Sequence, residues 1–230
     1  VAPAFFWVYA LILNCYKNSM SSISSTASVT CACGEEFDAE VWSFVHGEKD
    51  EELCEALLGG ELNLVFCPKC GTYFHYETPV VYFDRSRDLL VFILPLSYQE
   101  KKDEWAKKMR EDFELLRSRL LGELKISSAP LTVFGMEAAQ QLLRDEIALR
   151  EESEVIAAIA VEMGMKCKAV PPSAARSHGL PLCLPYSGTA CDAHSLLAGA
   201  ESMLKEHEGL ERLKTLVALL RGGEHLHCIL

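Results

Sequence analysis

The chain of 230 residues is half apolar and carries 33 acidic against 22 basic side chains, a net charge of −11. That apolar share fills a core, which excludes a fibrous or wholly disordered chain, and the acidic balance argues against a nucleic-acid binder, which neutralises phosphates with a basic face. No run of about 18 apolar residues exists to span a bilayer as a helix, and ten cysteines have to be divided among disulfides, metal and packing.

Residues 4–13 are apolar, AFFWVYALIL, with no basic residue before them, which does not fit the positive start of a secretory signal. The first methionine is Met20, and SSISSTAS follows it as a flexible stretch. We read Met20 as the start, and residues 1–27 as an apolar and Ser-rich leader outside the fold.

Residues 29–31 form a short strand entering CACG. Phe37, Ala39 and Val41 alternate with Asp38 and Glu40, the period of a half-buried strand running toward Val45. HGEKD turns the chain, and Asp50 N-caps a short helix, EELCEALL, which Gly59 and Gly60 end. Leu62, Leu64 and Phe66 alternate again and deliver the chain into CPKCG. Residues 72–77 leave as a strand stopped by Pro79, and residues 80–83 and 89–94 flank DRSRD as a hairpin.

After Pro95, Ser97 and Glu100 have the spacing of a capping box. Trp105, Met109, Phe113, Leu116 and Leu120 then make one apolar stripe on a helix, whose interleaved charges are a solvated face. Residues 131–134 form a strand, residues 136–149 a helix with Leu143 and Ile147 inside, and EESE interrupts it before residues 155–163 resume. Residues 164–194 hold Pro171, Pro172, Pro181 and Pro185 in a Ser/Ala-rich stretch without periodicity, a linker. Residues 195–230 carry a last helix with Leu204, Leu213, Leu216 and Leu220 on one side. It packs back on the domain or pairs with another chain, the second of which would make a homo-oligomer through C-terminal helices.

Four cysteines carry chemistry. Cys31 and Cys33 lie in C-x-C-G, and Cys67 and Cys70 in C-P-x-C-G, each motif at the end of a predicted strand. Thiolates at such spacing sit on tight turns, and Gly34 or Gly71 permits the turn's unusual dihedrals. Two such turns brought together make a tetrahedral cage of four sulfurs, and zinc in that cage has no open position for water. A disulfide within C-x-C is strained, and a reducing compartment would open it. Iron is the second choice: C-P-x-C-G resembles a rubredoxin turn, but the C-x-C half departs from the C-x2-C that rubredoxins use.

VTCACGEEFDAEVW, then GELNLVFCPKCGTYFHYETPVVYFD, then LLVFILP, resembles the CpXC family of bacterial and archaeal proteins named for their Cys-Pro-x-Cys motif. The resemblance runs through LTVFGMEAAQQLL and covers about residues 28–163. Carried over by position, it implies Cys31, Cys33, Cys67 and Cys70 as the metal-binding quartet, and a fold and a metal but no reaction. The first motif departs from the family's, since CAC lacks both the proline and one residue.

Other candidates are weaker. Cys54 sits beside Leu53 and Leu57 as a core residue, and His75 alternates with Phe74 and Tyr76 on a strand. His178, Cys183, Cys191 and His194 are candidates for a second metal site, although their spacing fits no pair of tight turns. His225, His227 and Cys228 lie at the tail, which is not a prenylation box. No G-x-S-x-G, H-E-x-x-H or phosphate-cradling glycine loop is present.

The expectation is therefore an α+β protein: a small antiparallel zinc-ribbon-like β domain over about residues 28–95, then helices over about residues 97–163. It is cytoplasmic and non-catalytic, holds zinc, and presents a surface to a protein partner. That surface is Tyr73, His75 and Tyr76 by the second cysteine turn, or the charged helix of residues 98–121. A redox or electron-transfer protein with an iron- or thiol-based site is the alternative.

Overall fold

A computed structural model describes residues 21–120 and 126–222, with residues 115–120 described by their backbone alone. The readings of residues 1–19, of His225, His227 and Cys228, and of the Leu116 and Leu120 side chains fall outside the described residues. The chain divides into two compact units, one up to Leu143 and one from Arg144.

The first unit is built on one mixed sheet. Its strands are β1 (Ile23–Thr30), β2 (Glu36–His46), β5 (Val80–Asp84), β6 (Leu89–Leu94) and β7 (Leu131–Phe134), and they lie in that spatial order. β1–β2 and β5–β6 are antiparallel hairpins, whereas β2–β5 and β6–β7 are parallel. Parallel neighbours need a long crossover between them. Helix α2 (Lys102–Leu120), reached through a 3-10 turn over Leu96–Lys101, makes the one from β6 to β7. Between β2 and β5 the chain forms helix α1 (Glu51–Gly59) and a separate two-stranded hairpin, β3 (Leu64–Phe66) with β4 (Tyr73–His75).

The α+β class is as expected, but a ribbon of antiparallel strands is not what residues 28–95 form. VVYFD and LLVFIL are apolar at successive positions because the sheet is buried on both faces. Val81, Phe83, Leu90 and Phe92 pack with Phe44 and with Met109 and Phe113 of α2. Val80, Tyr82, Val91 and Ile93 face the other way, against Leu57 of α1 and Ala139 and Leu143 of helix α3 (Met136–Glu162).

Several local readings change. Ile23 to Ala27, placed in the leader, belong to β1, where small polar residues suffice on an edge strand that is largely exposed. β3 buries Val65 and exposes Leu64 and Phe66, the reverse of the face drawn from Leu62, because Asn63 takes a φ of 57° and turns the chain over. Asp50 makes no side-chain cap on α1, and its carboxylate accepts from the Ser22 N–H at 3.2 Å. Ser97 and Glu100 lie inside the 3-10 turn, which Pro95 precedes without a side-chain cap.

The second unit has its own core. α3 runs through EESE without a break. Glutamate is a good helix former, and Ser153 answers its own helix by donating to the Leu149 carbonyl at 2.5 Å. Residues 164–194 are not a linker: β8 (Lys166–Ala169) pairs antiparallel with β9 (Cys183–Tyr186) across helix α4 (Pro172–His178). The prolines that suggested a loop start α4 and punctuate short strands, positions where a missing N–H is tolerated. The last helix is two, α5 (Ala193–Leu204) and α6 (Glu211–Arg221). Leu196, Met203, Leu213 and Leu216 meet Ile156, Leu180 and Leu184 in one buried cluster. Among the described residues no helix is long and apolar enough to cross a membrane.

Candidate metal centre

The two cysteine motifs are the tips of two hairpins. At the β1–β2 tip, the Cys31 N–H donates to the Glu35 carbonyl and the Gly34 N–H to the Cys31 carbonyl, both at 2.8 Å. At the β3–β4 tip, the Cys67 N–H donates to the Thr72 carbonyl and the Gly71 N–H to the Cys67 carbonyl, both at 3.0 Å. Gly34 and Gly71 carry φ of 84° and 71°, a region that any Cβ disfavours. The shorter C-x-C motif therefore closes one residue tighter, with a Gly34-to-Cys31 bond over three residues where C-P-x-C makes its Gly71-to-Cys67 bond over four, and each turn ends on a left-handed glycine.

The turns put four sulfurs together. Cys31 Sγ is 3.6 Å from Cys70 Sγ, and Cys33 Sγ is 3.7 Å from Cys67 Sγ, and all four lie within 4.8 Å of one another. Each short contact joins one hairpin to the other. A disulfide needs about 2.05 Å, and all four are free thiols. A tetrahedron with zinc–sulfur bonds of about 2.3 Å has edges of about 3.8 Å, close to the two cross-hairpin separations. The cluster could hold a metal ion, and soft sulfur donors suit zinc or iron.

The environment splits the four. Cys31 and Cys67 are buried, while Cys33 and Cys70 face solvent. Thr72, with its hydroxyl 3.4 Å from Cys70 Sγ and its backbone amide nearby, holds the Cys70 thiol down to about 6. At Cys31 the Cys33 amide favours the thiolate, but desolvation and the surrounding sulfurs outweigh it and lift the thiol to about 12. A divalent metal would supply the positive charge that favours the thiolate at Cys31.

Neighbouring contacts steady the pair of tips. Lys69 Nζ on one meets Glu35 Oε2 on the other at 3.0 Å, and the Phe37 and Phe74 rings stand edge to face at 6.4 Å. Asn63 anchors the base of the second hairpin to β2, with Oδ1 accepting from the Trp42 N–H and Nδ2 donating to the Trp42 carbonyl. Nothing in the local pattern singled out Asn63 or Thr72; only their position beside a turn residue gave a weak signal.

The remaining candidates are not brought together. Among the described residues the cysteine quartet is the one group of metal-ligating side chains found. Cys183 instead donates to the Ser153 carbonyl at 3.3 Å, and burial with the nearby Cys167 lifts its thiol to about 12. His178 ends α4 and His194 lies in the first turn of α5. Cys54 is half-buried, with Sγ 3.5 Å from the Gly47 carbonyl, and burial raises its pKa. His75 is exposed on β4 and Tyr76 half-buried after it.

Residues 29–160 match the family model described as CpXC protein. No curated protein and no solved structure matches the chain.

Proposed function

The chain belongs to the CpXC family, and on that premise we propose that it is a non-catalytic module in which Cys31, Cys33, Cys67 and Cys70 hold one structural zinc ion. The hairpin stapled by that metal presents a surface to a protein partner. The observation that carries the metal is the pair of cross-hairpin sulfur separations, 3.6 and 3.7 Å, on two turns that share no strand pairing with each other. A metal that binds only the folded arrangement stabilises this closure.

Four thiolates saturate zinc, so no metal-bound water is available to act as a nucleophile. Zinc fits the closed set better than iron because the first motif departs from the rubredoxin spacing. We place the protein in the cytoplasm, where its thiols stay reduced. The interaction surface is the outer face of β3–β4, where Tyr73 is 64% and Phe66 49% exposed on strands too short to need them as core.

Cobalt(II) substitution tests the metal reading. A tetrahedral four-thiolate site gives intense ligand-field and charge-transfer bands, whereas a weak octahedral spectrum would show that the four cysteines do not form the cage. The spectrum of the protein as isolated separates the alternative, since Fe(III)–thiolate is red and zinc colourless.

A further inference from the structure

We infer that a cavity beside the β3–β4 hairpin is the docking groove for a peptide segment of a partner protein, one that joins an apolar anchor to a neighbouring lysine or arginine. This rests on the reading of the first unit as an interaction module, and it supplies the partner's chemistry.

The cavity, of about 530 Å³, opens where the parallel strands β6 and β7 end, the first turn of α3 begins and the chain leaves β4. Leu62, Ile93, Leu96, Phe134 and Met136 give it an apolar lining. Leu96 is 53% exposed at its mouth, held against the Gly135 turn, where an added Cβ would come within 3.4 Å of its Cδ1. The lining continues outward along the hairpin. His75 lines the cavity and stands opposite Leu64 in the β3–β4 register, and Phe66 stands opposite Tyr73 with ring centroids 5.0 Å apart. Residues opposite one another in antiparallel strands share a face, so Leu64, Phe66, Tyr73 and His75 form one exposed strip.

Among the described residues of the first unit, the large apolar side chains left exposed are Leu64, Phe66, Tyr73 and Leu96, and all four belong to this strip and cavity. Contiguous exposed apolar surface of this kind marks a binding site more often than isolated residues do. A small molecule filling the cavity would leave the hairpin face bare, whereas an extended segment with its anchor beside Leu96 crosses both.

Charge selects the segment. The ionised side chains lining the cavity are Glu77 and Glu137, both exposed, and no lysine or arginine lies among the described lining residues. The start of α3 would draw an anion, but Glu137 occupies its first turn and answers that field. With a net charge of −11 on the whole chain, an acidic segment is repelled and a basic one is drawn in.

The test is selection from a random peptide display library on the full chain purified with its metal, with Leu96→Asp as the counter-selected control. Peptides enriched on the wild type are synthesised and titrated against both proteins and against Glu77→Lys and Glu137→Lys. The expected peptides pair a bulky apolar residue with lysine or arginine. Leu96→Asp puts a charge against the peptide's apolar anchor and should weaken them by about thirtyfold. Each charge reversal should weaken them by about threefold and flatten their salt dependence. Leu96 and both glutamates are exposed, and a matching thermal transition checks that each variant folds. Enriched peptides without basic residues, indifferent to both charge reversals but lost with Leu96→Asp, would overturn the basic chemistry and leave an interaction surface standing. No enrichment over the Leu96→Asp control would overturn the groove and the interaction reading with it.

Discussion

The side chain of Asn63 stands in for a strand beside Trp42: its Nδ2 donates to the Trp42 carbonyl at 2.9 Å and its Oδ1 accepts the Trp42 N–H at 2.7 Å. The same residue adopts a φ of 57°, a conformation that asparagine tolerates better than most side chains. It thereby reverses the face that the chain presents on entering β3 and ties the second cysteine hairpin to the central sheet. Asn63→Ala leaves both Trp42 groups unpaired and should cost about 2–6 kcal/mol, at about 1–3 kcal/mol per partly buried polar group. Asn63→Asp keeps the acceptor alone and should fall between. Urea unfolding at constant m-value measures both.

Gly34 is the point where conformation alone can be tested at the metal site. No atom lies within 4 Å of where its Cβ would be, yet its φ is 84°. Gly34→Ala therefore meets no clash and should cost about 1–2 kcal/mol from the left-handed backbone. If the turn must be formed before it binds metal, competition against a chelator should show metal affinity lowered by about tenfold. Unchanged affinity would mean that the turn's shape does not matter to binding.

His46 gives the fold an acid limit. Burial first, then the Lys49 charge, holds its imidazole below the ordinary value of 6.5. The ring lies edge-on to Phe83, and its Nδ1 accepts the Glu48 N–H at 3.3 Å. The unfolded chain takes up this proton near its ordinary pKa, whereas the folded chain does so only at lower pH, so the unfolded state binds more protons in between. The stability is present above about pH 6.5 and is lost as the pH falls below it. His46→Gln should flatten the dependence of the melting temperature on pH in that window relative to the wild type.

In the second unit, Glu146 is buried against Arg176, which reaches it through Nε and, at 3.4 Å, through a terminal guanidinium nitrogen. Arg176→Ala should cost about 3–5 kcal/mol, because it strands a buried carboxylate. The double variant Arg176→Met with Glu146→Leu should cost less than the single one. A double-mutant cycle read by denaturant unfolding decides this, and additive losses would show that the two side chains are not coupled.

The cysteine turns, strand β2 and the α2 stripe were legible because each is a local pattern: Cys-x-Cys-Gly, alternation in Phe37, Ala39 and Val41, and Met109 with Phe113. The parallel pairings β2–β5 and β6–β7 were not, since crossover topology leaves no mark in either strand alone. The runs 80–83 and 89–94 suggested a hairpin, and only their being buried on both faces explains why they do not alternate. Residues 164–194 misled for a related reason. Val170, Leu180 and Leu184 are buried in the core, but the elements they flank or belong to are only four to seven residues long, shorter than the window in which a period shows. The four sulfurs could be named from spacing, but not the residues that hold the two hairpins in place, because Asn63 and the Lys69–Glu35 pair act across distances in sequence that carry no motif.

Elemental analysis of the purified wild type beside Cys67→Ser tests the central claim most directly, because Cys67 is fully buried in the quartet and serves no other contact that serine could not make. One equivalent of zinc per chain in the wild type, and its loss together with a lowered melting temperature in Cys67→Ser, is the predicted result. Full retention of the metal by Cys67→Ser would contradict it.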